Sequence, residues 1–290
     1  MNTLVSLSRD RKIAPPGSRE ATPPSTFTPE AIEDRRRTLR LRRSSLVDLK
    51  MEGIDRPSIK IAETLDEYRQ AFRLAHDCYV STGYLENSPG RPYHYSTYSL
   101  LPETCVFVFK SYLTVIATLT EIHDTPELGL PMDALYREQI DGLRRGNRKV
   151  VELSSFVTSP DYRMRNIMVY LCKAMFNYSI FDDVDDICIM VNPKHVKFYT
   201  RMFLFEPFGP ELFYEKVQAP AVALRVNMDH IEARLREKYS GHEFTEDLHG
   251  FFCRTNTTQG MLLSGSASCK KKQTSREILD FFAQDINLPR

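Results

Sequence analysis

Among its six cysteines and seven histidines the 290-residue chain has no Cys-x-x-Cys pair and no His-x-His or His-x-x-x-His spacing. A zinc site or a disulfide framework therefore has no support in the sequence, and no metal is expected. Four of the cysteines lie inside apolar periodic segments, which reads as reduced, buried thiols of a cytosolic protein. An apolar run of signal-peptide or transmembrane length is also missing, which again points to the cytoplasm. Net charge is nearly absent: 39 Lys and Arg against 38 Asp and Glu leave +1, which excludes a strongly basic nucleic-acid binder. The absence with the most consequence is local. "VVELSSFVTSPDYRMRNIMVYL", Val150 to Leu171, reads as strand, short loop and helix, an arrangement that often cradles a phosphate. Such loops use glycine so that backbone N–H groups can close on the anion. This loop has Arg163, Arg165 and Asn166 and no glycine.

What is present is a chain with 42% hydrophobic and 11% aromatic residues, ordinary for a protein with a real core. Residues 1–30 are rich in Ser, Thr and Pro and read as disordered. Pro29 and the residues after it suggest a short basic helix containing "RRRTLRLRR" (35–43), with six arginines and no acid. Residues 1–57 are thus expected to form a tail, with Arg35–Arg43 a candidate contact for anionic membrane.

Regular patterning starts at residue 58. "SIKIA" alternates as a strand, and Thr64 to Glu67 is a capping box ahead of helically spaced Tyr68, Phe72, Ala75 and Tyr79. "TCVFVFK" and "LTVIATLTEI" form a hairpin. A helix over 133–143, the strand at 149–157 and a helix over about 165–180 follow. "ICIMV" is a short strand buried on both faces. Asn192 then caps a helix with Pro193 at its first position. "LFEPFG" and "AVALRVN" complete the sheet. The order implies a mixed α/β sheet with a central hairpin and one parallel βαβ crossover. Residues 58–228 make the domain and 229–290 a C-terminal helical extension, with a further capping box at Thr274 to Glu277.

This order resembles the GNAT superfamily of N-acyltransferases, and within it the long-chain N-acyl amino acid synthases of the FeeM type. The stretches that carry the resemblance are "GLPMDALY" (129–136), "VVELSSFV", "PDYR" (160–163) and, most specific, "NPKHVKFYTRMFLFEPFG" (192–209). The resemblance implies a mainly antiparallel sheet whose fourth and fifth strands splay apart. The related acyl-homoserine lactone synthases usually read Glu-x-x-Arg-Phe in this strand. Ser155 at the Arg position argues against a homoserine lactone product. Leu204 replaces a Gly of the family pattern. The resemblance also implies an acyl-phosphopantetheine donor on acyl carrier protein, with no permanently bound cofactor. A lone phosphodiester needs one or two arginines rather than a glycine cradle, so Arg163, Arg165 and Asn166 become donor-binding candidates. Acyl-coenzyme A is the alternative donor, with another small amine as acceptor. A second alternative is a non-catalytic relative whose basic tail docks on membrane or nucleic acid.

Amide formation from a thioester needs a neutral amine, a polarised carbonyl and an exit for the thiolate. Glu152 is an acid in an apolar strand, where burial should raise its pKa towards neutrality, and is the candidate general base. An ion pair with Lys149 or Arg225 would be the structural alternative. The resemblance implies that the backbone N–H groups of Phe156 and Val157 meet the thioester oxygen and pantetheine. The resemblance puts Tyr199 at the position of an acid for the thiolate, with a core aromatic as the alternative, and His195 is an alternative base. Ser154, Ser155, Asn192 and Arg225 are candidates for the amino acid acceptor. "RPYHYSTYS" (91–99) is a candidate lid over the acyl chain or acceptor.

Overall fold

The structure is a computed structural model that describes residues 39–40, 53–86, 90, 92–162, 167–239, 248–253 and 274–286. Its described strands form one eight-stranded sheet in the order β1-β2-β3-β4-β5-β6-β8-β7. These are β1 (Leu39–Arg40), β2 (Pro57–Ile61), β3 (Cys105–Ser111), β4 (Thr114–His123), β5 (Val150–Thr158), β6 (Asp186–Val191), β7 (Glu206–Tyr214) and β8 (Ala219–Asn227). All neighbours are antiparallel except β5 and β6, which run parallel. Between them lies α3 (Ile167–Phe181), the expected crossover.

The N-terminal region differs from the expected tail. Leu39 and Arg40, inside the arginine run, pair with Ile59 and Ser58 of β2, and Ile54 is already buried. A bare edge of β2 would leave unpaired backbone groups, which a short added strand satisfies. The rest of the expected basic helix lies outside the described residues.

Helix α1 (Leu65–Ser81) begins as the capping box requires: Thr64 Oγ1 accepts from the Glu67 N–H, and Glu67 Oε2 from the Thr64 N–H. Burial pushes the Glu67 pKa up, but Lys60 at 3.1 Å and Lys110 at 2.8 Å more than offset this, and the pKa falls below the ordinary value. Helix α1 packs with α7 (Arg276–Ile286) on one face of the sheet, over Val106 and Val108. Helix α2 (Asp133–Arg145) covers the same face further along, over Ile122, Val150 and Cys188. The opposite face is covered by α3, α5 (Met228–Tyr239) and α6 (Leu248–Cys253). Between β6 and β7 a 3₁₀ turn (Pro193–His195) leads into α4 (Val196–Met202).

Two features of β5 shape the site. Its ladder with β6 stops at Leu153 opposite Ile189, although β5 runs on to Thr158 and β6 to Val191. Without the added edge strand β1 these are the fourth and fifth strands, the two expected to splay. On its other edge the register with β4 passes from Ser154 opposite Thr120 to Val157 opposite Thr118. Two residues, Ser155 and Phe156, therefore oppose Leu119 alone, which is a β-bulge. Ser155 takes the left-handed conformation, φ +50°, that turns the strand there.

Candidate active site

Glu152 sits two residues before the splay. On the sheet it lies between Ile122 of β4 and Cys188 of β6, with Arg225 of β8 beyond. It is 2% exposed, and its Oε2 accepts from the Met132 N–H at 2.7 Å. Met132 is the cap of α2, so an unpaired N–H at the helix start faces the carboxylate. Burial raises the Glu152 pKa to about 8, assisted by Asp133, while the Met132 N–H and Lys216 pull it down. The ion pairs considered from sequence do not form. Lys149 binds Asp182 at 2.7 Å, and the Arg225 Nε donates to the fully buried Asp186 at 2.6 Å.

The stretches "GLPMDALY" and "FEPFG" build the roof over this carboxylate. Gly129 turns at φ +67°, and a Cβ there would meet Asp133 Oδ2 at 2.2 Å. Asp133 holds the turn through the Leu130 N–H at 2.9 Å and is itself held by Arg144 at 2.7 Å. Tyr136, fully buried, donates to the carbonyls of Pro210 and Ala221 at 2.9 and 2.7 Å. A Cβ on Gly209 would meet the Tyr136 ring at 2.6 Å. The two stretches thus interlock, and the product is the position of one backbone N–H.

The other candidates divide. Ser154, half-buried, lies one alternation beyond Glu152 on the same strand face. Ser155 and Phe156 form the bulge and Val157 follows it opposite Thr118. Asn192 caps the 3₁₀ turn, its Oδ1 accepting from the Lys194 N–H at 3.2 Å. His195 is exposed, with a pKa lowered by partial burial and by Lys194. Tyr199 is 9% exposed and packs edge-on against Phe198 and Phe205. Its phenol pKa is raised by burial, then by Cys172 and Tyr79, so the phenol keeps its proton at neutral pH and packs among core aromatics. Arg225 is engaged by Asp186 and lies over Phe208, 5.6 Å from the ring centroid. Arg163, Arg165 and Asn166 lie outside the described residues. Leu204 occupies the family's glycine position with φ +59°; the turn is kept by a leucine whose burial offsets the backbone cost.

Three tyrosines feel the Glu152 charge, of which Tyr98 lies in the stretch expected to form a lid and Tyr79 and Tyr214 were not assigned to the site. Tyr79 of α1 has its pKa pushed up to about 12 by burial, then by Tyr84, Tyr214 and Glu152. Burial and then Glu152 likewise raise Tyr214, and burial, Asp133 and Glu152 raise Tyr98. The Tyr79 ring stacks on His94 at 4.4 Å, and burial lowers the His94 pKa to about 4, assisted by His76. Tyr98 and His94 belong to the aromatic stretch singled out in the sequence. Tyr79 was legible only as a helix-face residue, and Tyr214 carries no local signal.

A carboxyl with a pKa of about 8 beside a gap between two sheet strands can exchange a proton with an amine of similar basicity. The fold is GNAT-like, and a family match shows the class, an amide-forming acyltransferase. The sequence model of the family described as N-acyl amino acid synthase FeeM matches residues 70–227, more than half of the chain, and the chain belongs to that family. No curated protein matches it. Among solved structures, the N-acyl amino acid synthase FeeM from uncultured soil microbes is 23% identical, with a TM-score of 0.57, covering 64% of this chain and 99% of that one. The CoA-dependent acyl-homoserine lactone synthase BjaI is 14% identical, TM-score 0.45, covering 64% and 90%. An acyl-CoA N-acyltransferase from Pseudomonas aeruginosa is 14% identical, TM-score 0.40, covering 58% and 97%. Among the described residues no helix is long and apolar enough to cross a membrane.

Proposed function

We propose that the protein transfers a long-chain fatty acyl group from acyl carrier protein to the α-amine of an amino acid. The observation that carries this reading is Glu152: a carboxyl of pKa about 8, oriented by the Met132 N–H, beside the point where β5 leaves β6. An ordinary carboxylate is about four pH units too weak to take a proton from an α-ammonium of pKa about 8. Glu152 is nearly matched to it, so the transfer is close to isoenergetic. The amine nitrogen then attacks the thioester carbonyl, the C–N bond forms and the C–S bond breaks. Glu152 holds the proton taken from the ammonium before attack; as the C–S bond breaks Tyr199 gives its phenol proton to the departing thiolate, and the second proton leaving nitrogen passes through water to the tyrosinate, restoring Tyr199. The Phe156 and Val157 N–H groups, on the β5 segment unpaired by β6, meet the thioester oxygen and pantetheine. Arg163, Arg165 and Asn166 bind the pantetheine phosphate. Ser154 and Asn192 face the acceptor, whose carboxylate is met by Lys216, a cation felt at Glu152.

Transfer assays with purified protein and the same acyl group on acyl carrier protein or coenzyme A test the donor. Faster transfer from the carrier protein, weakening with salt and losing affinity on Arg163→Ala with Arg165→Ala, is expected because acyl carrier proteins are acidic. Equal, salt-insensitive rates from both donors would refute a donor site specific for the carrier protein. Mass spectrometry of lipids from expressing cells identifies the amino acid and the chain length.

A further inference from the structure

Outside the residues matched by the family model, the C-terminal helix α7 makes contacts that converge on one segment of the site. Its Phe282 is fully buried and Ile278 nearly so. The Phe282 ring lies 4.8 Å from Tyr95, 5.7 Å from Tyr93 and 5.1 Å from Phe72 of α1. Tyr95 donates its phenol proton to the Phe282 carbonyl at 2.8 Å. Before the helix, Thr274 donates to the Leu100 carbonyl at 3.1 Å, leaving Ser275 as the cap that accepts from the Ile278 N–H. The capping box expected at Thr274 is therefore replaced by a Ser275 cap, because the Thr274 hydroxyl is drawn to the wall.

Residues 93–100 are thus held at Tyr93 and Tyr95 by α7, at Leu100 by Thr274 just before it, and at His94 by α1 through its N–H to the Phe72 carbonyl at 2.9 Å, and among them lie two groups of the Glu152 site. His94 stacks on Tyr79. Tyr98 donates to the Leu128 carbonyl at 3.2 Å, and Leu128 begins the turn that delivers the Met132 N–H to Glu152. A segment outside the sheet takes the placement of its side chains from what packs on it. We infer that α7 is a clamp that positions the 93–100 wall of the acceptor site, so that loosening it weakens acceptor binding while leaving the transfer step intact. This rests on the reading of the Glu152 site as the place where the amine acceptor is acylated.

The test uses the full-length chain with Tyr95→Phe and Thr274→Val together, which remove two hydroxyls and keep the packing, and Phe282→Leu as a second variant. Amide hydrogen exchange across residues 93–101 should accelerate by about tenfold while that of β4 and β5 stays unchanged. The acceptor KM should rise by about three- to tenfold, the effect of about one net hydrogen bond, with kcat and the donor KM within about twofold. Unchanged exchange at 93–101 in both variants overturns the clamp, and so does faster exchange with an unaltered acceptor KM. A fall in kcat that matches a general loss of thermal stability also overturns it, since that is a purely structural role. The exchange measurement needs no substrate, so it decides whether α7 holds the wall even if the acceptor proves not to be an amine.

Discussion

Replacing Glu152 by Gln keeps shape and the acceptor for the Met132 N–H but removes the site of protonation. At about pH 7 the α-amine is mostly protonated, and removing the general base should lower kcat by about 10²–10⁴-fold with little change in acceptor KM. The deficit should shrink as pH rises and the amine loses its proton unaided. Wild-type kcat/KM should rise through about pH 8, the pKa of the buried carboxyl. Stability supplies an independent reading of the same group. The folded pKa is raised above the ordinary 4.5, so the neutral form is the one the fold favours. That stability is fully present below about pH 4.5 and is lost progressively up to about pH 8. The full loss is at most on the order of 5 kcal/mol. The Gln variant lacks this decline, so it should gain on the wild type as pH rises from about 5 to 9, in thermal or urea unfolding followed by circular dichroism. Steady-state kinetics over the same range completes the assay. Wild-type turnover by Glu152→Gln at about pH 7 would refute the base assignment and bring forward His195. Parallel pH–stability curves would refute the raised pKa.

Ser155→Gly should keep both fold and activity, because Gly suits φ +50°. Ser155→Val should straighten the bulge and raise the donor KM, and a fully active Val variant would remove the bulge from donor binding. Gly209→Ala should destabilise by about 1–3 kcal/mol through overpacking on the Tyr136 ring. In a Tyr136→Leu background that cost should shrink, and an equal cost in both backgrounds would show that the ring is not the cause. Tyr199→Phe should lower kcat by about tenfold or more if the phenol protonates the thiolate. With a donor whose leaving thiol is more acidic, the deficit should narrow, and full activity with the ordinary thioester would leave Tyr199 as a core aromatic.

Local periodicity and end signals were enough to place most of the elements. Alternation in "SIKIA", the Thr64 to Glu67 box, the hairpin of β3 and β4 and the Asn192-Pro193 start all encode conformations within a few residues of themselves. Glu152 was legible for the same reason, since a single acid in an apolar strand is a local anomaly. Its chemistry was not local. The Met132 N–H reaches it from 20 residues away, and the neighbours that set its pKa come from α2 and from the turn between β7 and β8. Arg225 shows the limit of strand position as a guide: its place on a neighbouring strand suggested a role in the site, while its charge is taken by Asp186. Leu39 and Arg40 found a strand partner that their composition could not announce. The pairing of β5 with β6, its end at Leu153, and the docking of α7 on the aromatic wall depend on segments meeting across the sheet. Such contacts are chosen by burial and register over the whole fold, and only the tertiary structure could decide them.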